Sequence, residues 1–82
     1  MTAVALYWAQ GCHLCEPAKE TTRAVCADLG VALEEIDITG DETLEAAYRP
    51  SLPVLEIDGR RAFKFYVDEH DLRDRLARAV AR

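Results

Sequence analysis

No apolar run in this sequence approaches the roughly 18 residues that a membrane-spanning helix requires. The segment from Met1 to Trp8 is too short, and lacks the basic start, for a secretory leader. The expectation is therefore a cytoplasmic protein without membrane contact. Basic charge is also scarce, with ten Lys and Arg against 15 Asp and Glu and a net charge of −5. Nucleic-acid binders usually display a basic face, so nucleic acid is not an expected partner. Arg73, Arg75, Arg78 and Arg82 are the one basic concentration, and they follow Asp68, Glu69 and Asp71. That order suits a final helix whose two ends match its macrodipole. Cysteine is sparse too. Three cysteines, an odd number, do not build the disulfide framework of a small secreted protein. Repeats, low-complexity stretches and linkers are absent, so residues 1–82 form one domain with a small core.

What is present is alternation between strand-like and helix-like segments. Ala3-Val4-Ala5-Leu6-Tyr7-Trp8 is apolar on both faces, as a central strand is. Gln10-Gly11 breaks it. A helix is expected from about Cys12 to Leu29, with Leu14, Ala18, Val25 and Leu29 on its apolar stripe. Glu16, Lys19, Glu20 and Arg23 fall largely outside that stripe, and Gly30 suits the C-cap. Residues from Ala32 to Ile38 read as a strand whose imperfect alternation suits a sheet edge. A short helix follows from Thr39-Gly40-Asp41 to about Tyr48, then a loop at Pro50-Ser51-Leu52-Pro53. Asp58-Gly59 signals a two-residue hairpin, in a register that pairs Glu56 with Arg61 and Val54 with Phe63. The last helix, about Asp68 to Ala81, should bury Leu72, Leu76 and Val80. The order β-α-β-α-β-β-α gives an α/β protein with a four-stranded mixed sheet and helices on both faces, the thioredoxin-like arrangement.

The chemistry concentrates at Gly11-Cys12-His13-Leu14-Cys15. A C-x-x-C pair between a strand and a helix has a redox reading. The first cysteine lies at the helix N-terminus, where unpaired N–H groups and the positive dipole end favour a thiolate. A thiol of pKa about 8.5 is only a few per cent ionised at neutral pH, whereas one near 7 is half ionised. Cys12 is thus assigned as nucleophile, and Cys15, one turn on, as the thiol that resolves a mixed disulfide. The alternatives are a pair of buried small residues or half of a zinc site. Zinc needs four ligands, and His13, Cys26 and His70 do not form the missing pair, so no metal is expected. His13 either tunes Cys12 as a neighbouring cation or is simply a solvent-facing residue. Cys26 lies about 16 Å along the helix from Cys15, beyond disulfide reach, and is expected in the core. Pro17 lacks the N–H that would bond back to His13, so it kinks the first turn or the helix begins later.

Leu6 to Cys15, Ser51-Leu52-Pro53-Val54 and the element order together resemble the glutaredoxin family, in particular its short glutaredoxin-like members. The likeness covers nearly the whole chain. It implies a thiol–disulfide oxidoreductase that reduces protein or low-molecular-weight disulfides. It implies no bound cofactor and a reducing donor, either glutathione or a thioredoxin-reductase-type system. A monomer is expected. The resemblance also implies a cis proline at Pro53 facing the cysteine pair, and substrate binding by His13, Leu52 and Pro53, with the Leu52 backbone pairing with the substrate chain. Three positions depart from glutathione-using members. Ala9-Gln10 stands where a basic residue is usual, Phe65-Tyr66-Val67-Asp68 replaces a Gly-Gly turn, and Ser51-Leu52-Pro53 replaces Thr-Val-Pro. Poor glutathione turnover is the expectation that follows. A redox-sensing or protein-docking module with little turnover is the other function compatible with these residues.

Overall fold

A computed structural model describes residues 2–81, so Arg82 lies outside the described residues. The chain forms β1 (Val4–Trp8), α1 (Cys15–Leu29), β2 (Leu33–Asp37), α2 (Glu42–Tyr48), β3 (Val54–Ile57), β4 (Arg60–Lys64) and α3 (Glu69–Val80), with a single 3-10 turn at Arg49–Ser51. The sheet order is β2-β1-β3-β4. β1 runs parallel to β2 and antiparallel to β3, and β3 runs antiparallel to β4. The apolar β1 is therefore central and the charged β2 is an edge, as their side-chain patterns require.

The core has two parts. Val4, Leu6 and Leu55 of the sheet pack with Ala18, Val25 and Cys26 of α1 and Leu72 and Leu76 of α3. α1 and α3 also touch each other, linked at the surface by Arg73 to Asp28 at 2.8 Å. The second cluster joins Ala9, Cys15, Ile38 and Leu52, with Tyr7, Trp8, Cys12, Leu44 and Tyr48 packed against it.

Several boundaries differ from expectation. α1 begins at Cys15, not Cys12, and Leu14 is its N-cap. Pro17 then falls within the first turn, where an N–H has no intrahelical partner to lose, so no kink is needed. Leu14 lies ahead of the helix and is exposed instead of joining the apolar stripe. The hairpin turns at Asp58-Gly59, both at positive φ, and Glu56 faces Arg61 as expected. Beyond that pair the register shifts between Leu55 and Glu56, so Phe63 faces Leu55 and Val54 faces Lys64. The irregularity adds a residue to β4, and the two-fold side-chain period changes partners across it. Val80 is half exposed, whereas Leu72 and Leu76 are fully buried. It sits in the last turn of α3, where solvent reaches a side chain that mid-helix packing would cover.

Both short helix starts are capped by aspartate. Asp41 accepts a hydrogen bond from the Leu44 N–H at 3.0 Å and Asp68 one from the Asp71 N–H at 2.8 Å. Cap acceptors of this kind satisfy donors that the helix leaves unpaired.

Candidate active site

β1 delivers the chain to the site at Trp8, and the next residue, Ala9, is buried. Gly11 turns the chain at φ 80°, a conformation glycine adopts without a Cβ clash. The turn closes when the Cys12 N–H donates to the Ala9 carbonyl at 3.3 Å and the Cys15 N–H to the Cys12 carbonyl at 3.2 Å. The neighbouring loop holds it from outside. Gln10 N–H donates to the Thr39 hydroxyl at 2.9 Å, and Ile38 N–H to the Trp8 carbonyl at 2.9 Å. Thr39 donates in turn to Asp37, whose carboxyl is held below the usual carboxylate range chiefly by that residue.

Cys12 and Cys15 are joined by a disulfide, with Cα atoms 5.4 Å apart. Their surroundings differ. Cys15 is buried at 1% exposure in the cluster with Ala9, Ile38 and Leu52, while Cys12 is partly exposed at its edge. Leu14 supplies no side-chain cap, so no cap acceptor occupies the N-terminal end of α1 ahead of Glu16, the acidic residue of its first turn. His13 is exposed on the same turn. Cys26 lies in the other cluster as a buried free thiol. Burial pushes that thiol's pKa up, which keeps it protonated and unreactive.

Leu52 packs into the cysteine cluster, and the Leu52–Pro53 peptide bond is cis. Pro53 is fully buried. The loop is fastened to the end of β4, where the Phe65 N–H donates to the carbonyls of Ser51 at 3.2 Å and Pro53 at 3.0 Å. Phe65 has φ 68°, a left-handed conformation that is uncommon for a bulky side chain. Phe65 and Tyr66 are exposed at 47% and 69%, so two aromatic side chains stand where the resemblance would place a glycine turn.

The structure thus brings Cys12, Cys15 and Leu52 together, buries Pro53 directly after Leu52, and leaves the His13 side chain to solvent. It also adds residues the sequence pattern did not single out. Trp8 packs against the cysteine cluster, and the Lys19 ammonium lies 3.8 Å above its ring. The available signal was Lys19's position one turn after Cys15, on the same helix side.

Residues 3–77 match the glutaredoxin-like domain (DUF836) family. An uncharacterized protein of Mycobacterium tuberculosis is 35% identical over 75 residues, covering 85% of this chain and 77% of the relative. The X-ray structure of protein XcR50 from X. campestris superposes with a TM-score of 0.75 at 32% identity, covering 92% of this chain and 96% of that one. The crystal structure of Deadhead, a germline-specific thioredoxin of Drosophila melanogaster, gives a TM-score of 0.64 at 25% identity, covering 94% and 79%. A four-stranded mixed sheet of this order, with a cysteine pair at disulfide distance beyond its first strand, is the thioredoxin-like fold, and the chain belongs to the glutaredoxin-like domain family.

Proposed function

We propose that this chain is a thiol–disulfide oxidoreductase in which Cys12 attacks and Cys15 resolves. The observation that carries it is the asymmetric disulfide, with one sulfur-bearing residue partly exposed and the other buried behind it. In the reduced protein the Cys12 thiolate attacks one sulfur of a substrate disulfide. A mixed disulfide forms, and the first substrate sulfur leaves as a thiolate that takes up a proton. The Cys15 thiol, losing its proton, then attacks Cys12 Sγ. The second substrate thiol departs and the Cys12–Cys15 disulfide remains. A dithiol donor restores the reduced pair and is itself oxidised. The helix N-terminus favours the thiolate at Cys12, and burial of Cys15 keeps external disulfides from the resolving thiol.

The substrate is a disulfide in a protein or small molecule, met by the Leu52–Pro53 loop. A protein dithiol fits the donor role better than glutathione does. Phe65, whose N–H bonds the Ser51 and Pro53 carbonyls, and Tyr66 carry exposed aromatic side chains, whereas a glycine pair there would let a tripeptide approach the backbone closely. Two arginines of suitable charge to contact its carboxylates, Arg49 and Arg61, are engaged elsewhere. Arg49 is paired with Glu45, and Arg61 donates to the Ala47 carbonyl at 2.9 Å and lies over the Tyr48 ring. Among the described residues no helix is long and apolar enough to cross a membrane, and a cytoplasmic monomer remains the proposed setting.

The test runs two reductions side by side: a small mixed disulfide with glutathione, and a protein disulfide with a recycling dithiol donor. Turnover is expected in the second and little in the first. A charge-assisted hydrogen bond is worth about 1.5–3 kcal/mol, so one lost contact weakens glutathione binding at least about tenfold. Saturable, efficient glutathione turnover would overturn the donor assignment. Activity in neither reaction would favour the redox-sensing or docking module. The Cys15→Ser variant should accumulate a mixed disulfide at Cys12, and trapping at any other residue would refute the roles given to the pair.

A further inference from the structure

Cys12 borders a cavity of about 380 Å³ whose wall also includes Trp8, Gln10, His13, Glu16 and Lys19. Lys19 is the unusual member. Its side chain is only 14% exposed, although its ion-pair partner Glu16, at 3.0 Å, is 69% exposed. The aliphatic stem is covered and the ammonium rests on the Trp8 ring, an arrangement in which the ring face attracts the cation. Helical side chains lean toward the N-terminus of their helix. Lys19 therefore reaches back from the second turn of α1 toward Cys15 and the Cys12 turn.

We propose that Lys19 is a positioning residue for the thiol chemistry: its ammonium, lodged on Trp8 beside the cysteine turn, stabilises the Cys12 thiolate. The inference rests on the oxidoreductase reading above. The charges around Cys12 show why such a cation matters. On the turn itself stands His13. On α1 stand Glu16 and Lys19. From β2 come Asp37, which accepts from Gln10 at 3.4 Å, and Glu35, which is neutralised by a two-pronged Arg23 pair at 2.6 Å. Glu16 and Asp37 both disfavour a second negative charge nearby. Without Lys19 the dipole of α1 would oppose them alone. The anionic partner does not cancel Lys19, because the exposed Glu16 carboxylate is screened by water and the covered ammonium is screened much less.

Both groups border one cleft, and at about 10 Å a unit charge under an effective dielectric near 20 changes a proton affinity on the order of tenfold. The reduced full chain is treated with iodoacetamide across a pH series, and the rate at Cys12 is followed by peptide mapping. In Lys19→Met the stem remains and the charge is gone. The Cys12 rate below the midpoint should fall about three- to tenfold and the midpoint should move to higher pH, with rates converging in strong base. Lys19→Arg should keep the wild-type profile. Glu16→Gln, an exposed change that leaves the fold intact, should move the midpoint the other way by a smaller amount. An unmoved midpoint in Lys19→Met, or an equal shift in Lys19→Arg, would overturn the proposal in favour of a packing role. Should Lys19→Met fail to fold, a Glu16→Gln profile identical to wild type would overturn it instead. Protein-disulfide turnover of the wild type is measured in parallel. No turnover with a shifted midpoint would remove the enzyme reading and leave Lys19 in its role. Normal turnover with an unmoved midpoint would remove Lys19 alone.

Discussion

The two hydrophobic clusters lie in one small domain and are built from different materials. The larger one, between the sheet and the α1–α3 pair, is mostly aliphatic, with Leu6, Leu55, Leu72 and Leu76 wholly removed from solvent. The smaller one mixes a cysteine, an alanine, an isoleucine and a leucine with partly covered Tyr7, Trp8, Cys12 and Tyr48. Its polar attachments are specific. Tyr7 and Tyr48 stack at 3.9 Å, and the Tyr48 hydroxyl donates to Glu56 at 2.7 Å. That bond, ahead of burial, pushes the Tyr48 hydroxyl pKa above its ordinary value. A closed aliphatic cluster provides cohesion and has little reactive chemistry. The open one gives up some burial and leaves Cys12, one end of the disulfide, partly exposed. Cys26 and Cys15 make the point with a single residue type. The same residue is a buried free thiol in the first setting and half of a disulfide in the second.

Crossed substitutions separate the clusters most sharply. Cys12→Ser should reduce disulfide exchange to background, while the urea midpoint of the reduced protein moves little, because the residue is partly exposed. Leu72→Ala should lower stability by about 2–5 kcal/mol through a cavity in the aliphatic cluster, and the alkylation rate of Cys12 in the folded fraction should not change. A large change in that rate would show the two clusters acting as one unit. A smaller effect is expected at the start of α3, where Asp68→Ala removes the cap and should cost about 1 kcal/mol by urea denaturation, again without altering exchange.

The smallest effect is one of pH. The Arg23 guanidinium, by hydrogen bonding and then charge, holds the Glu35 carboxyl below its ordinary value. A depressed folded-state value adds stability above the unfolded carboxylate range, near 4.3, and that stability disappears as pH falls through the folded-state value. Arg23→Met should therefore differ from wild type in urea midpoint at neutral pH and coincide with it in strong acid. Arg23 is largely exposed and Glu35 partly so, and the difference should therefore be slight. A gap that widened toward acid would mean the pair does not stabilise the fold.

Much of this was legible in sequence because local rules and packing agreed. The apolar run at Val4 to Trp8 could be satisfied only at the centre of a sheet. Asp58-Gly59 imposed its turn, and Cys12 and Cys15 stood between a strand and a helix. The failures came where the chain responds to neighbours it meets only in three dimensions. The periodicity of Leu14 continued the helix on paper, yet the bonds closing the cysteine turn end it at Cys15. Val80 kept the spacing of Leu72 and Leu76, but that spacing does not reveal where the covering surface stops. Lys19 looked like a solvent residue by type, and only the Trp8 ring beneath it changes that reading.

The position of Pro17 has a mechanical consequence. Were α1 extended back over Cys12 to Leu14, the proline ring would meet the His13 carbonyl, and no N–H would be available to that oxygen. The proline thus works as a stop that uncouples the cysteine turn from the rod behind it. Opening and closing of the Cys12–Cys15 bridge need only rearrange the short segment ahead of Glu16. The α1 backbone from Ala18 onward, anchored by Val25 and Cys26 in the aliphatic cluster, can stay still while the turn cycles.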